Sequence, residues 1–558
     1  MRLEKLLRGR KAIYNADLGG GLTRETCAEG TRKKIREDII RWAMSSSSDS
    51  PSVFWMTGDA GSGKTTIACT IAQHFDRLDR AKDPIPHTVL GGSFFCSRQY
   101  EETRERIRIL PTLVYQLAQK SRSYAHALHQ ADKFDSDDKL SDQMEDLLSG
   151  PWQESEAQRQ ELPPYLVIVD ALDEIEGQEG SAFLGDLIKA IDGRYLQGIK
   201  FFVTSRPDPD VAELCESLSP KAVCRLQDVP IEDVGSDIDI YLHAKLPKLD
   251  RLDLDRAARQ ADGLFISAAT VVRYLTPRRS ITPREQCKLL DDLLSSKSGN
   301  GATQPLLIDE IYQHILRQAF SDLPEDLFRA RLQVLHTFLC TIERTSTSVT
   351  AALLSEPDDE IVNAVLKDLH AVLYCKDGQV LWYHASFPDF IFTHTRSTFE
   401  LDGRSQNMSC NEAQHHALLT KSCFEIMKSH LRFNICDIPS SFIFNADDPD
   451  LNKRVETNIG AIVKYACRHW ASHVAQASQI TVYGDNLSDY IRDFLNIRIL
   501  FWIEAMHLLG SSGHCSPMLL RAREFILKVR QISLPRYTLP NTGRSEPQRS
   551  VRAFRQHC

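Results

Sequence analysis

No Cys-x-x-Cys pair occurs among the fourteen cysteines, and no Cys/His cluster shows structural-zinc spacing. That argues against a zinc ribbon, a zinc finger or a thioredoxin-like redox motif. The His514-Cys515 and Cys423/Cys436 neighbourhoods read as ordinary thiols, which scattered in this way suit a reducing compartment. No run approaches eighteen consecutive apolar residues, so no membrane-spanning helix is expected. The opening Met1-Arg-Leu-Glu-Lys-Leu-Leu-Arg-Gly-Arg-Lys11 has no apolar core for a secretory signal. Basic charge is not in excess either. A net charge of −8 gives no general field for nucleic acid. No repeat of twenty to fifty residues is present. These absences together predict a soluble cytoplasmic protein.

What is present is an ordinary globular composition, 42% hydrophobic and 25% charged, over 558 residues, enough for several domains. A turn-rich stretch at Asp17–Leu22 precedes an amphipathic helix over about 31–44, and serines at 45–52 then break the pattern. Between 53 and 206, short apolar strands alternate with helices. Val53–Thr57, His87–Cys96, Tyr165–Asp170 and Lys200–Ser205 read as buried strands, with helices near 64–75, 107–121 and 180–191. Such alternation implies a parallel sheet covered on both faces. The acidic stretch Asp132–Glu145 reads as a solvated loop or exposed helix face.

From Ile231 onward helical periodicity dominates, with segments at 233–246 and 257–275. A hairpin is expected at Val372–Tyr383 across Asp377-Gly378, and helices plus that hairpin make a winged-helix pattern. The expected organisation is a linker and adenine-side segment at 1–50, a P-loop α/β domain at 51–228 and a small helical domain at 229–300. A winged-helix domain at 301–405, an all-α region at 406–533 and an unstructured polar tail at 534–558 complete the chain. The junction at Lys297–Gly301 marks one of these boundaries.

Chemistry concentrates in Gly58-Asp59-Ala60-Gly61-Ser62-Gly63-Lys64-Thr65, which satisfies G-x-x-x-x-G-K-[ST]. Glycines let the backbone wind around phosphates with its N–H groups pointing inward at a helix start. Lys64 supplies a charge for the β- and γ-phosphates, and the Thr65 hydroxyl a ligand for Mg²⁺. The strand before the loop, and the helix that Thr66 continues, are the context this motif requires. Leu166–Asp170 ends an apolar strand in a carboxylate, which holds Mg²⁺ directly or through water. Asp173 or Glu174 can orient or deprotonate the attacking water, and the sequence leaves open which one. Arg206 closes the next strand. It can sense charge on the γ-phosphate, pair with the acids, or do both.

Taken with Val169–Glu174 and Thr204–Pro207, the P-loop resembles the NACHT domain of the STAND class of signalling NTPases. Ala171 between the acids and the Asp173-Glu174 pair separate it from the related NB-ARC pattern. Cys27–Arg32, Ser93–Arg98, Gly263–Ala269, His384–Phe390 and Tyr465–Trp470 extend the resemblance toward fungal NACHT proteins, over roughly residues 12–510. The resemblance implies a switch. ADP bridges the nucleotide domain and the winged helix in a closed monomer, and exchange for ATP permits a homo-oligomer. It places His384 against the ADP β-phosphate and backbone near Thr31 and Arg32 around adenine. It also implies slow ATP hydrolysis in self/non-self recognition or cell death. Effector and sensor functions would come from partners or from segments the relatives carry at their ends. A conventional remodelling ATPase and a permanently ADP-bound scaffold are the competing readings.

Overall fold

The computed structural model describes residues 6–18, 23–47, 50–81, 88–131, 140–159, 164–216, 222–261, 263–277, 279–295, 307–354, 359–440, 448–477 and 487–532. Gly19–Leu22 of the turn-rich stretch, most of the acidic stretch (132–139), the junction at 297–301 and the tail at 535–558 lie outside them.

Five parallel strands form the central sheet: β1 Val53–Thr57, β2 Val89–Phe95, β3 Tyr165–Asp170, β4 Ile199–Ser205 and β5 Val223–Arg225, in the order β2-β3-β4-β1-β5. Every residue of β1, β3 and β4 is buried. Alternation sends Trp55, Val167, Val169, Phe201 and Val203 into one core, and Phe54, Met56, Leu166, Ile168 and Phe202 into the other. A parallel sheet covered on both faces therefore shows continuous apolar runs, as these strands do. β5 was not anticipated. Its three residues are too short for a periodicity signal, and pairing to Trp55–Thr57 alone defines it.

Helix Lys64–Ala81 succeeds the P-loop and buries Ile67, Ala68, Ile71, Ala72 and Phe75 completely against the second core. That stripe recurs at i, i+1, i+4, i+5 and i+8, and it fixes the helix N-terminus at the sheet's carboxyl edge. Helix Lys33–Met44 starts from Arg32, whose backbone is left-handed (φ 54°). Its Trp42 packs 5.2 Å from Phe54 and donates its indole N–H to the Pro51 carbonyl.

The rest of the described chain is mainly helical. Helices Ile231–Lys245, Arg251–Ala261, Phe265–Leu275 and Pro283–Ser295 come first. The helical reading across 257–275 breaks in two because the chain turns at Gly263 with φ +73°. Helices Leu307–Phe320, Glu325–Cys340, Thr347–Leu353 and Asp359–Asp368 precede an antiparallel hairpin, β6 Leu373–Lys376 and β7 Gln379–Trp382, which turns at Asp377-Gly378. After helix Ser386–Phe392 comes an unanticipated hairpin, β8 Thr398–Leu401 and β9 Arg404–Asn407, which turns at Asp402-Gly403 and runs past residue 405. Helices Glu412–His430 and Ala461–Gln476 pack together and dominate the C-terminal helical region. At the described end of the acidic stretch Asp142 and Glu145 are exposed, and the helix turns its other face inward. Met144, Leu147 and Leu148 are buried in a widened helical turn. No helix among the described residues is long and apolar enough to cross a membrane.

Candidate functional site

Strand order puts β4 between the P-loop strand β1 and the acidic strand β3. The ends of all three therefore meet at one carboxyl edge, where a parallel sheet presents ligands.

Two P-loop glycines carry positive φ, Gly61 at +82° and Gly63 at +95°. A Cβ on Gly61 would lie 1.9 Å from the Ile266 side chain, because helix Phe265–Leu275 docks on the loop through Ile266 N–H to the Gly61 carbonyl, 3.1 Å. The Lys64 ammonium is buried and donates to the carbonyls of Gly58 (2.6 Å) and Asp59 (2.9 Å). Burial lowers its pKa, while Asp173 and Asp170 oppose that shift.

Asp170 is 1% exposed. Its Oδ1 accepts from Thr204 Oγ1 at 2.6 Å, and its buried Oδ2 has no hydrogen-bond partner among the described residues. Burial raises its pKa, against the nearby hydroxyls of Thr204 and Thr65 and the charges of Arg24 and Lys64. An orphaned carboxylate oxygen with a threonine hydroxyl nearby is an oxygen donor set that fits a hard divalent cation. Ala171 takes a left-handed φ of 55°, and its N–H donates to Thr204 Oγ1. This turn starts the single 3₁₀ turn that carries Asp173 and Glu174.

The two acids of that turn differ in environment. Asp173 accepts from the Arg206 backbone N–H at 2.9 Å and pairs with its Nε at 3.2 Å. Glu174 accepts from the Arg98 backbone N–H at 3.2 Å, and burial, then Asp173, raises its pKa to about 7. Arg206 also reaches Asp389 Oδ2 through Nη1 at 2.6 Å. Burial opposes its charge, but Asp389 and Asp173 outweigh burial and raise its pKa. Both readings of Arg206 thus begin from a guanidinium that already bridges two carboxylates at the phosphate edge.

His384 stands beside this cluster. Its Nδ1 accepts from the Ser386 backbone N–H (3.1 Å), which leaves the proton of the neutral ring on Nε2. Burial, then Arg206, Lys64 and Arg273, pushes its pKa down to about 3. A neutral imidazole with one N–H among cations suits an anion. Thr31 turns inward, its hydroxyl donating to the Ala28 carbonyl. Arg32 runs beneath the P-loop: Nη2 donates to the Ser62 carbonyl (3.0 Å) and its backbone N–H to Asp237. Its Nε and Nη1 are buried without hydrogen-bond partners among the described residues.

Sequence reasoning missed four members. Arg98 and Asp389 lie inside segments that carried the family resemblance, but no spacing rule assigned them a role. Arg24 is buried and donates to the Lys11 and Ile13 carbonyls. Arg273 stacks 4.3 Å from the centroid of the Tyr383 ring.

A family model described as "Nephrocystin 3, N-terminal" matches residues 30–206. Over 533 residues, 86% of the chain, the sequence is 23% identical to the vegetative incompatibility protein HET-E-1 of Podospora anserina. The chain spans 36% of the length of that curated relative. A solved structure, the Walker-type ATPase PABY2304 of Pyrococcus abyssi, aligns at 11% identity and a TM-score of 0.32, over 66% of this chain and 97% of that one.

Proposed function

We propose that the chain carries a NACHT-type P-loop NTPase of the STAND class and works as a nucleotide-controlled switch. In the closed state it retains ADP, it hydrolyses ATP slowly, and it opens and self-associates when ATP replaces ADP. The observation that carries this reading is the reach of the segment His384–Phe390 to the phosphate edge. Asp389 pairs with Arg206, and His384 lies close enough to Lys64 and Arg206 to be depressed by both. A helical element distant in sequence is thereby fastened to the group best placed to register a γ-phosphate.

On this reading each residue has a role. Lys64 and the P-loop N–H groups from Gly58 to Thr66 bind phosphate oxygens. Thr65 and Asp170 would hold Mg²⁺, which supplies neutralisation of phosphate charge when bound. Glu174, with its raised pKa, can take a proton from water near neutral pH, while Asp173 is engaged in holding Arg206. His384 Nε2–H donates to the ADP β-phosphate, and Thr31 and Arg32 mark the adenine side. The unit from Leu307 through the β6–β7 hairpin and helix Ser386–Phe392 is read as the winged helix of the switch. The vegetative incompatibility of the relative suggests self/non-self recognition or cell death as the setting. Oligomerisation and partner effectors belong to the same proposal.

The test is the nucleotide released on denaturing the purified protein, with ATP turnover measured in parallel. Near-stoichiometric ADP with slow turnover supports the switch. Rapid multiple turnover from a protein that retains no nucleotide sinks it. His384→Ala should accelerate ADP release, and an unchanged rate removes that contact from the mechanism.

A further inference from the structure

Outside the nucleotide site, two pairs of metal-ligating side chains converge in the helical half. His336 and Cys340 are four apart on helix Glu325–Cys340 and so share a face. Cys410 and His415 flank the start of helix Glu412–His430, whose N-cap is Asn411, accepting from the Gln414 N–H at 3.1 Å. The residue before an N-cap often packs against the fourth residue inside the helix. Each pair is therefore assembled locally, and packing of the two helices brings the pairs together. Ligand atoms of His336, Cys410 and His415 all lie within 4.8 Å of one another. Cys340 Sγ is 3.6 Å from Cys410 Sγ.

Both imidazoles are presented in the tautomer a metal needs. His336 Nε2 lies 3.1 Å from the Met408 carbonyl, which can only accept, so Nε2 carries the proton and Nδ1 the lone pair. His415 Nε2 lies 2.9 Å from Thr337 Oγ1. That hydroxyl donates its one proton to the Gln333 carbonyl, so it accepts from Nε2 and again leaves Nδ1 free of a proton. A carbonyl or hydroxyl behind the distal nitrogen is the usual outer support of a metal-bound histidine. The sulfur separation of 3.6 Å is compatible with two thiolates on one ion and too long for a disulfide. Two thiolates on a tetrahedral Zn²⁺ stand about 3.8 Å apart, whereas a disulfide needs about 2.05 Å.

We propose that His336, Cys340, Cys410 and His415 bind one Zn²⁺-class cation tetrahedrally, stapling the helix Glu325–Cys340 to the helix Glu412–His430. Along the sequence, the spacing of cysteines and histidines carries no signal for such a site. Spacing rules look for ligand pairs close in sequence, whereas these two are 70 residues apart, the separation of Cys340 and Cys410. The site is separate from the Thr65–Asp170 oxygen set, which suits Mg²⁺.

The test uses the full chain, expressed with zinc and purified under reductant without chelator. Metal analysis should find roughly one zinc per chain, lost in the Cys340→Ser/Cys410→Ser double variant. Co²⁺ exchanged into the wild type should give the intense absorption of a tetrahedral thiolate site. Should the double variant fail to fold, chelator-stripped wild type should regain Tm with Zn²⁺ and not with Mg²⁺. A reduced chain that takes up no zinc, zinc content unchanged in the double variant, or a Cys340–Cys410 disulfide in the purified protein would each overturn the proposal.

Discussion

At the residue scale, the site is a set of buried charges whose partners decide their chemistry. Lys64 donates to two carbonyls of its own loop, so binding a nucleotide would exchange neutral acceptors for charged oxygens. Hydrogen bonds to charged groups contribute about 1.5–3 kcal/mol, so Lys64→Ala should weaken ADP and ATP binding on the order of 10- to 100-fold. Titration with a fluorescent nucleotide checks this. Glu174 carries the pH dependence. Its native pKa, about 7, exceeds the ordinary carboxylate value, so between the two the folded state binds more protons than the unfolded. Its contribution to stability is thus full at acid pH and is lost as pH rises through about 7. Activity should run the opposite way, because only the deprotonated carboxylate can accept a proton from water. ATP turnover should climb through neutrality while Tm falls, and Glu174→Gln should flatten both profiles. A turnover profile unchanged in that variant would shift the base assignment to Asp173.

At the element scale, the P-loop is held from two sides. Helix Lys64–Ala81 anchors it on the sheet, and helix Phe265–Leu275 closes over Gly61. Gly61→Ala meets both a left-handed φ and the Ile266 side chain at 1.9 Å. Such a substitution costs about 1–3 kcal/mol in strain, with overpacking added. The steric part should be relieved in Gly61→Ala/Ile266→Ala and the backbone part retained, so a double-mutant cycle by chemical denaturation separates them. Additive free energies would mean that Ile266 does not seat on the loop. The P-loop strand, the acidic strand and the helix after the loop were legible because apolar runs and glycine spacing are local signals. β5 was not, since three residues carry no periodicity, and the β8–β9 hairpin was missed although it has the same Asp-Gly turn as β6–β7, because β9 is polar and mostly exposed.

At the scale of the whole molecule, the nucleotide domain and the helical half are joined by few polar contacts. Arg206 holds Asp389 at 2.6 Å, Gln99 Oε1 accepts the Trp382 N–H, and Arg104 donates to the Ile342 carbonyl. Asp389 is a charged member of this set, and its partner Arg206 stands at the same sheet edge as the P-loop, where Ile266 N–H also meets the Gly61 carbonyl. Asp389→Asn keeps the shape and removes the charge, so it should loosen the closed arrangement by about 1–3 kcal/mol and raise the protease sensitivity of the segment near His384. Faster ADP release in the same variant would tie that opening to the nucleotide. Retention and protease pattern identical to wild type would show that Asp389 is a bystander to closure.

The sequence alone carried the P-loop and the acidic strand end on which the nucleotide reading rests, because both are written within a few contiguous residues. It also determined the parallel sheet, whose doubly buried strands appear as unbroken apolar runs. Only the tertiary structure decided which arginines face the acids, that Asp389 reaches Arg206 across 183 positions, and that His336, Cys410 and His415 converge with Cys340 against Cys410. These are pairings between segments far apart in the chain. Side-chain identity gives each group its valence, and packing alone selects its partner.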